Sequence, residues 1–274
     1  MTPIEVYNDI YVKRDDLCFE YPAPPFSKCR GLLMHLAKLK KQGYKYIGYT
    51  ETSISMAGWG VAWACQELGL TAIIFDPQYK DTPEVLKYHR KQWKKFNPII
   101  LPIKAGMAAV NINICKQWLK QDYPTNSIML PLGLPFEETI EATAIETNIT
   151  LKKYKTKKFP TIVTCVGSGT IVAGILKGAT YDNISRQLYG VMTRSGDVKI
   201  KKNKILSKAG IIDGELFKPE IELILINPGW EYTQKSLVSC PFPCHSYYDL
   251  KAWEWLIKNR DKLIEPILFW NIGH

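Results

Sequence analysis

The stretch Thr161 to Gly178, TIVTCVGSGTIVAGILKG, holds the residues best suited to chemistry. Ile162, Val163, Cys165 and Val166 read as a short strand buried on both faces, bounded by Pro160. Gly167, Ser168, Gly169 and Thr170 follow at once, and Ile171 to Lys177 read as the opening of an apolar helix. A strand, a tight glycine turn and a helix N-terminus make an oxyanion site. The glycines let the backbone come close, and the free N–H groups and the helix dipole face the charge. Ser168 and Thr170 add hydroxyl donors. The chemistry this pattern serves is the holding of a phosphate. The alternative is an ordinary βα turn, because short glycine motifs also arise by chance.

The elements around this stretch alternate strand and helix. Ile10–Val12 reads as a strand, followed by Arg14-Asp15-Asp16-Leu17 and a rigid loop with Pro22, Pro24 and Pro25. Ser27 reads as the N-cap of a helix reaching about Lys41, with Lys28 in its first turn. A strand at Tyr46–Tyr49 leads into the polar loop Thr50–Met56 and a small-residue helix, Ala57–Leu68. Further strands are expected at Thr71–Phe75, Ile99–Pro102, Ile128–Pro131, Gln187–Met192, Glu222–Asn227 and Ile267–Trp270. Helices are expected at Pro83–Phe96, Ala108–Gln121, Glu137–Tyr154 and Tyr248–Asn259. Such alternation predicts an α/β protein with parallel sheets and helices on both faces.

Composition bounds the function class. The chain of 274 residues is long enough for two packed domains. No apolar run is long enough to span a bilayer, and the charged N-terminus does not read as a signal peptide, so no membrane partner is expected. Seven scattered cysteines suit reduced thiols and a cytoplasmic location, which for a viral protein is the host's. Cys240 and Cys244 form the one close pair, but without a matching Cys/His pair no metal site is expected. The net charge is +10, with lysines clustered at Lys38–Lys41, Lys87–Lys95, Lys152–Lys158 and Lys199–Lys204. Solvated faces explain most such runs, yet Tyr88, Trp93, Phe96, Tyr154 and Phe159 among them also suit a nucleic-acid backbone.

Three distant stretches converge on one family. Arg14-Asp15-Asp16-Leu17 with Ser27-Lys28-Cys29-Arg30 resembles the RxDL…NKxRKL signature of certain pyridoxal-phosphate enzymes. Gly167-Ser168-Gly169-Thr170 with Ala173-Gly174 resembles their phosphate loop, and Phe269-Trp270-Asn271-Ile272-Gly273 their C-terminal FxHTGG turn. The resemblance is to fold-type II (tryptophan synthase β-like) enzymes, nearest the 1-aminocyclopropane-1-carboxylate deaminase and D-cysteine desulfhydrase branch. It covers nearly the whole chain, in order.

That resemblance implies two parallel-sheet α/β domains with pyridoxal 5'-phosphate between them, a larger one of residues 1–32 and 127–274 and a smaller one of residues 33–126. It implies a homodimer. Lys28 matches the Schiff-base lysine, which also moves the Cα proton; the alternative is a surface lysine at a helix start. Gly167, Ser168, Gly169 and Thr170 match the cofactor-phosphate loop. Thr52, Ser53 and Ser55 match by position the loop that binds the substrate carboxylate, with Ser55 in a catalytic place. Met56 stands where the family has an asparagine, which removes an expected bond to the cofactor, and a simple capping loop is the alternative there. Tyr248-Asp249-Leu250-Lys251 resembles YEGK, in which the tyrosine faces substrate and the acid meets the pyridine nitrogen. Asp249 takes that cofactor-binding role or is a helix cap, and His245 and His274 are further proton carriers to weigh.

Two substrate classes follow. One is a free small amino acid undergoing Cα carbanion chemistry: deamination, elimination or decarboxylation. The other is an amino acid tethered to a DNA base, as in viral base-hypermodification pathways, which the basic clusters and the Ser55-Met56 departure favour. A non-enzymatic cofactor-binding protein is a third reading, against which Lys28 and the glycine loop argue together.

Overall fold

The computed structural model describes residues 1–180, 184, 186–211 and 221–274. In chain order the elements are β1 (Ile4–Tyr7), β2 (Ile10–Arg14), α1 (Cys29–Lys41), β3 (Tyr46–Thr50), α2 (Ala57–Glu67), β4 (Thr71–Gln78), α3 (Glu84–Trp93), β5 (Ile99–Lys104), α4 (Ala108–Asp122) and β6 (Ser127–Met129). Then come α5 (Glu137–Lys153), β7 (Thr161–Val166), α6 (Thr170–Ala179), β8 (Arg186–Met192), α7 (Val198–Lys208), β9 (Ile221–Ile226), α8 (Asp249–Asn259) and β10 (Ile267–Asn271). The chain forms two compact units: residues 1–19, 25–28 and 136–274, and residues 20–24 and 29–135.

The first unit carries a six-stranded sheet in the order β1-β2-β10-β7-β8-β9. Its centre is β7, paired in parallel with β10 on one side and β8 on the other, with all six residues buried. β-branched residues suit a strand covered on both faces, so TIVTCV lies there. The sheet is not wholly parallel, as strand–helix alternation predicts: β1 pairs antiparallel with β2 at the edge. The physical cause is the two-residue turn Asn8-Asp9, whose φ of 49° and 63° lie in the left-handed region that joins hairpin strands.

Buried ionic groups fix the rest of this sheet. Lys13 bonds Glu146 at 2.5 Å and the Thr2 carbonyl at 2.6 Å, linking β2 to α5. Arg14 grips Asp16 through two nitrogens, at 3.0 and 2.7 Å, and reaches Glu5. Asp15 accepts the Trp270 indole N–H at 3.0 Å. The Arg14-Asp15-Asp16 stretch therefore works here as an anchor for β1, β2 and β10. α5 and α6 meet through glycines, since a Cβ on Gly174 would sit 2.8 Å from the Ile140 carbonyl.

The second unit carries the parallel sheet β5-β4-β3-β6. Its helix α2, AGWGVAWACQE, buries nine residues, from Ala57 to Cys65. Ser27 does not cap α1 as its residue type predicts. The helix begins at Cys29, while the Ser27 N–H bonds the Ile272 carbonyl beside β10, in the first unit. Among the described residues no helix is long and apolar enough to cross a membrane.

Candidate active site

The glycine loop follows β7 and opens α6, whose N-cap is Gly169. Gly169 has φ +83°, and a Cβ there would lie 2.6 Å from the Ile205 side chain of α7. The position therefore needs glycine for both its backbone angle and its close neighbour. Ile205 is fully buried, so α7 is seated directly on the loop.

Around this loop a chain of polar contacts forms. The Lys28 amine donates to Ser168 Oγ at 3.0 Å, and Ser168 Oγ lies 2.9 Å from Thr170 Oγ1. Lys208 donates to the Ser168 carbonyl at 2.9 Å and reaches Thr170 Oγ1 at 3.4 Å. Lys201 donates to the Gly167 carbonyl at 2.9 Å. Desolvation of its amine, joined by the charge of Lys208, brings Lys28 down to about 8. Burial, joined by Arg194 and Lys204, lowers Lys201, and burial with Lys201 and Lys204 lowers Lys208.

Beneath the loop lies a buried acid. Asp249, 2% exposed, accepts the Ile272 N–H at 2.8 Å and the Cys165 thiol at 3.5 Å. Burial raises its carboxyl to about 7 against the pull of those two donors. Cys165 stays a thiol, because burial and then the charge of Asp249 hold it well above its ordinary value, and its charge interaction with Lys28 connects the amine to the acid. The Tyr248 ring lies against Gly167, and its hydroxyl is 3.0 Å from that of Tyr232. His245 packs its ring 4.9 Å from Tyr248, while His274 bonds Asp16 at 2.9 Å.

Lys28, Gly167, Ser168, Gly169, Thr170, Tyr248 and Asp249 thus gather in the first unit. Thr52, Ser53 and Ser55 belong to the second. There the Ser55 hydroxyl accepts the Ala57 N–H at 3.0 Å, at the start of α2. Glu51, which residue patterns did not single out, organises this loop. Its two carboxyl oxygens accept the N–H groups of Thr52 at 2.8 Å and Gly58 at 2.7 Å. Burial nevertheless raises Glu51 to about 8. Glu51→Gln should lower stability by about 1–3 kcal/mol, because one N–H then faces an amide donor instead of an oxygen. Thermal denaturation reads this, and an unchanged midpoint would count against the clamp.

Cys165, Tyr232, Lys201 and Lys208 also join the first unit's site unannounced by any motif. For Cys165 a usable signal existed: it precedes Gly167 by two residues on a strand that ends at the loop.

The first unit's residues fit pyridoxal phosphate. A helix N-terminus, two hydroxyls and three lysines suit a phosphate dianion. An amine brought to about 8 suits condensation with an aldehyde. Ser27, the residue before Lys28, buries a hydroxyl that has no hydrogen-bond partner among the described residues.

Similarity to known proteins agrees with this chemistry. The chain belongs to the fold-type II family of pyridoxal-phosphate-dependent enzymes. It is 34% identical to the glycyl-dTMP PLP-dependent decarboxylase of Pseudomonas phage M6, over 99% of this chain and 98% of that protein. Among solved structures it resembles an ACC deaminase homologue, with a TM-score of 0.75 and 19% identity over 99% of this chain and 89% of that one. It also resembles a hydrogen sulfide-producing enzyme from Fusobacterium nucleatum (TM-score 0.64, 16% identity, 99% and 94% coverage). A third is a pyridoxal 5'-phosphate-dependent aspartate racemase (0.62, 13%, 99% and 89%). These three share the fold. No family profile matches the chain.

Proposed function

We propose that this enzyme decarboxylates an amino acid tethered to a thymine nucleotide of DNA. The observation that carries this reading is the 34% identity, along almost the full length of both chains, to a protein named as a glycyl-dTMP decarboxylase. The net charge of +10 agrees with a polyanionic substrate.

Pyridoxal phosphate, when bound, supplies an electron sink conjugated to the substrate's Cα. The N–H groups of Gly167 to Thr170, the two hydroxyls and Lys208 would hold its phosphate. Lys28 would hold the group through its aldehyde. Asp249 would hold a proton at the ring nitrogen and so strengthen the sink. Tyr248, braced by Tyr232, faces the substrate. Thr52, Ser53 and Ser55 are assigned to the substrate carboxylate, and Ser55 to the catalytic set, on the family resemblance. Decarboxylation breaks the bond from Cα to the carboxylate and CO2 departs. A proton from the Lys28 ammonium then takes its place at Cα.

The test is incubation of holoenzyme with free amino acids, with glycyl-dTMP and with DNA bearing the same group, read by mass spectrometry. Loss of CO2 from the tethered substrates is expected. Turnover of free amino acids alone would overturn the tethered reading and leave a deaminase- or lyase-type enzyme. The homodimer implied by the resemblance is read by analytical ultracentrifugation.

A pH dependence follows from Lys28. Its folded-state value is lowered to about 8, so the amine is protonated below that pH and free above it. Loading of apoenzyme with pyridoxal phosphate should accelerate as pH rises and level off above about 8. An ordinary lysine would go on accelerating toward about 10.4. Stopped-flow absorbance measures this, and a rate still climbing past pH 9 would contradict a desolvated amine.

A further inference from the structure

We infer that the lysine-rich helix α7 docks the phosphodiester backbone of DNA beside the glycine loop. This rests on the tethered-substrate reading above and names the partner of the same site. Between Arg194 and Lys208 the chain has six cations, Arg194, Lys199, Lys201, Lys202, Lys204 and Lys208, and one acid, Asp197. Asp197 is occupied as the N-cap, accepting the Ile200 N–H at 2.7 Å. None of the six cations is in an ion pair among the described residues. They repel one another instead: Arg194 and Lys204 act on Lys201, and Lys201 and Lys204 act on Lys208.

Position separates this cluster from the other basic runs. Ile205 is buried against Gly169, and Lys201 and Lys208 lie on its helix face at i−4 and i+3, with Lys204 the residue directly before it. Lys201 and Lys208 bond carbonyls of the glycine loop itself. By contrast, Lys87 is paired with Glu84, and Lys153 and Lys157 lie over the rings of Tyr154 and Tyr11. Extent decides between a nucleotide and a strand. The eleven residues of α7 span about 16 Å, and each DNA strand carries a phosphate about every 3.4 Å of helix axis. Five lysines over that length, with Arg194 four residues ahead of it, exceed what one phosphate monoester needs.

The experiment uses holoenzyme and a fluorescein-labelled, unmodified DNA duplex, with anisotropy followed across salt. Lys199→Glu/Lys202→Glu/Lys204→Glu should bind more weakly, with its visible cofactor band intact. Losing three phosphate contacts should reduce the log–log salt slope by about 2.7, or about 40-fold in affinity change between 50 and 200 mM salt. The alanine triple at the same positions is the second variant, and it should move in the same direction. Lys152→Glu/Lys153→Glu/Lys155→Glu is the matched control and should keep the wild-type slope. An unchanged slope in both α7 triples, or loss in the control instead, overturns the docking face. So does a wild type that decarboxylates glycyl-dTMP but has no measurable affinity for the duplex. That last result leaves the proposed function standing, whereas turnover of free amino acids alone removes it.

Discussion

Lys28→Ala enzyme should lose the visible band of the bound cofactor and fall in turnover by on the order of 10³-fold or more. The amine has two assigned tasks, covalent attachment and proton delivery at Cα, and alanine performs neither. The substitution sits directly before α1 and removes a desolvated amine that donates to Ser168, outside the hydrophobic core, so the fold should survive. Borohydride reduction of wild-type enzyme, followed by peptide mapping, should find the cofactor on Lys28. A label on any other lysine would refute the assignment. Lys208 is the informative competitor, because its amine also reaches the loop.

The second large effect is expected at Asp249. Asn retains the Oδ1 that accepts the Ile272 N–H and the Cys165 thiol, so the local structure is kept. It cannot exchange a proton with a ring nitrogen. Asp249→Asn should therefore lower kcat by on the order of 10²-fold, with KM and the Lys28 attachment little changed. A mere helix-cap role predicts the reverse pattern, a lower melting midpoint with unchanged kcat per folded molecule. Unchanged kcat would sink the pyridine-nitrogen assignment.

Much of this was legible because it is local in sequence. Strand, glycine turn and helix run consecutively from Thr161 to Ala179, so residue type alone defines that element. Lys28 and Asp249 were legible only through their flanking motifs, since nothing in residue spacing brings positions so far apart to one loop. Glu51 was missed because its role is burial, which a lone acid in a polar loop does not announce. α7 was missed as a helix because Val198, Ile200, Ile205 and Leu206 make no regular apolar stripe, and the lysines read as a charged run. The β1–β2 hairpin was missed although Asn8-Asp9 between apolar residues is a turn signal.

Ile205 seated against Gly169 has a thermodynamic consequence. The side chain that fixes α7 also fixes the backbone expected to hold the cofactor's phosphate, so a ligand on the helix and a ligand on the loop share one rigid element. Binding free energies at two such sites are reciprocal. If DNA on α7 tightens retention of the cofactor, the cofactor must tighten DNA by the same factor. Duplex titrations of apoenzyme and holoenzyme, set against cofactor titrations with and without duplex, should close that cycle. Enzyme without cofactor would then also be the form that lets go of DNA most readily.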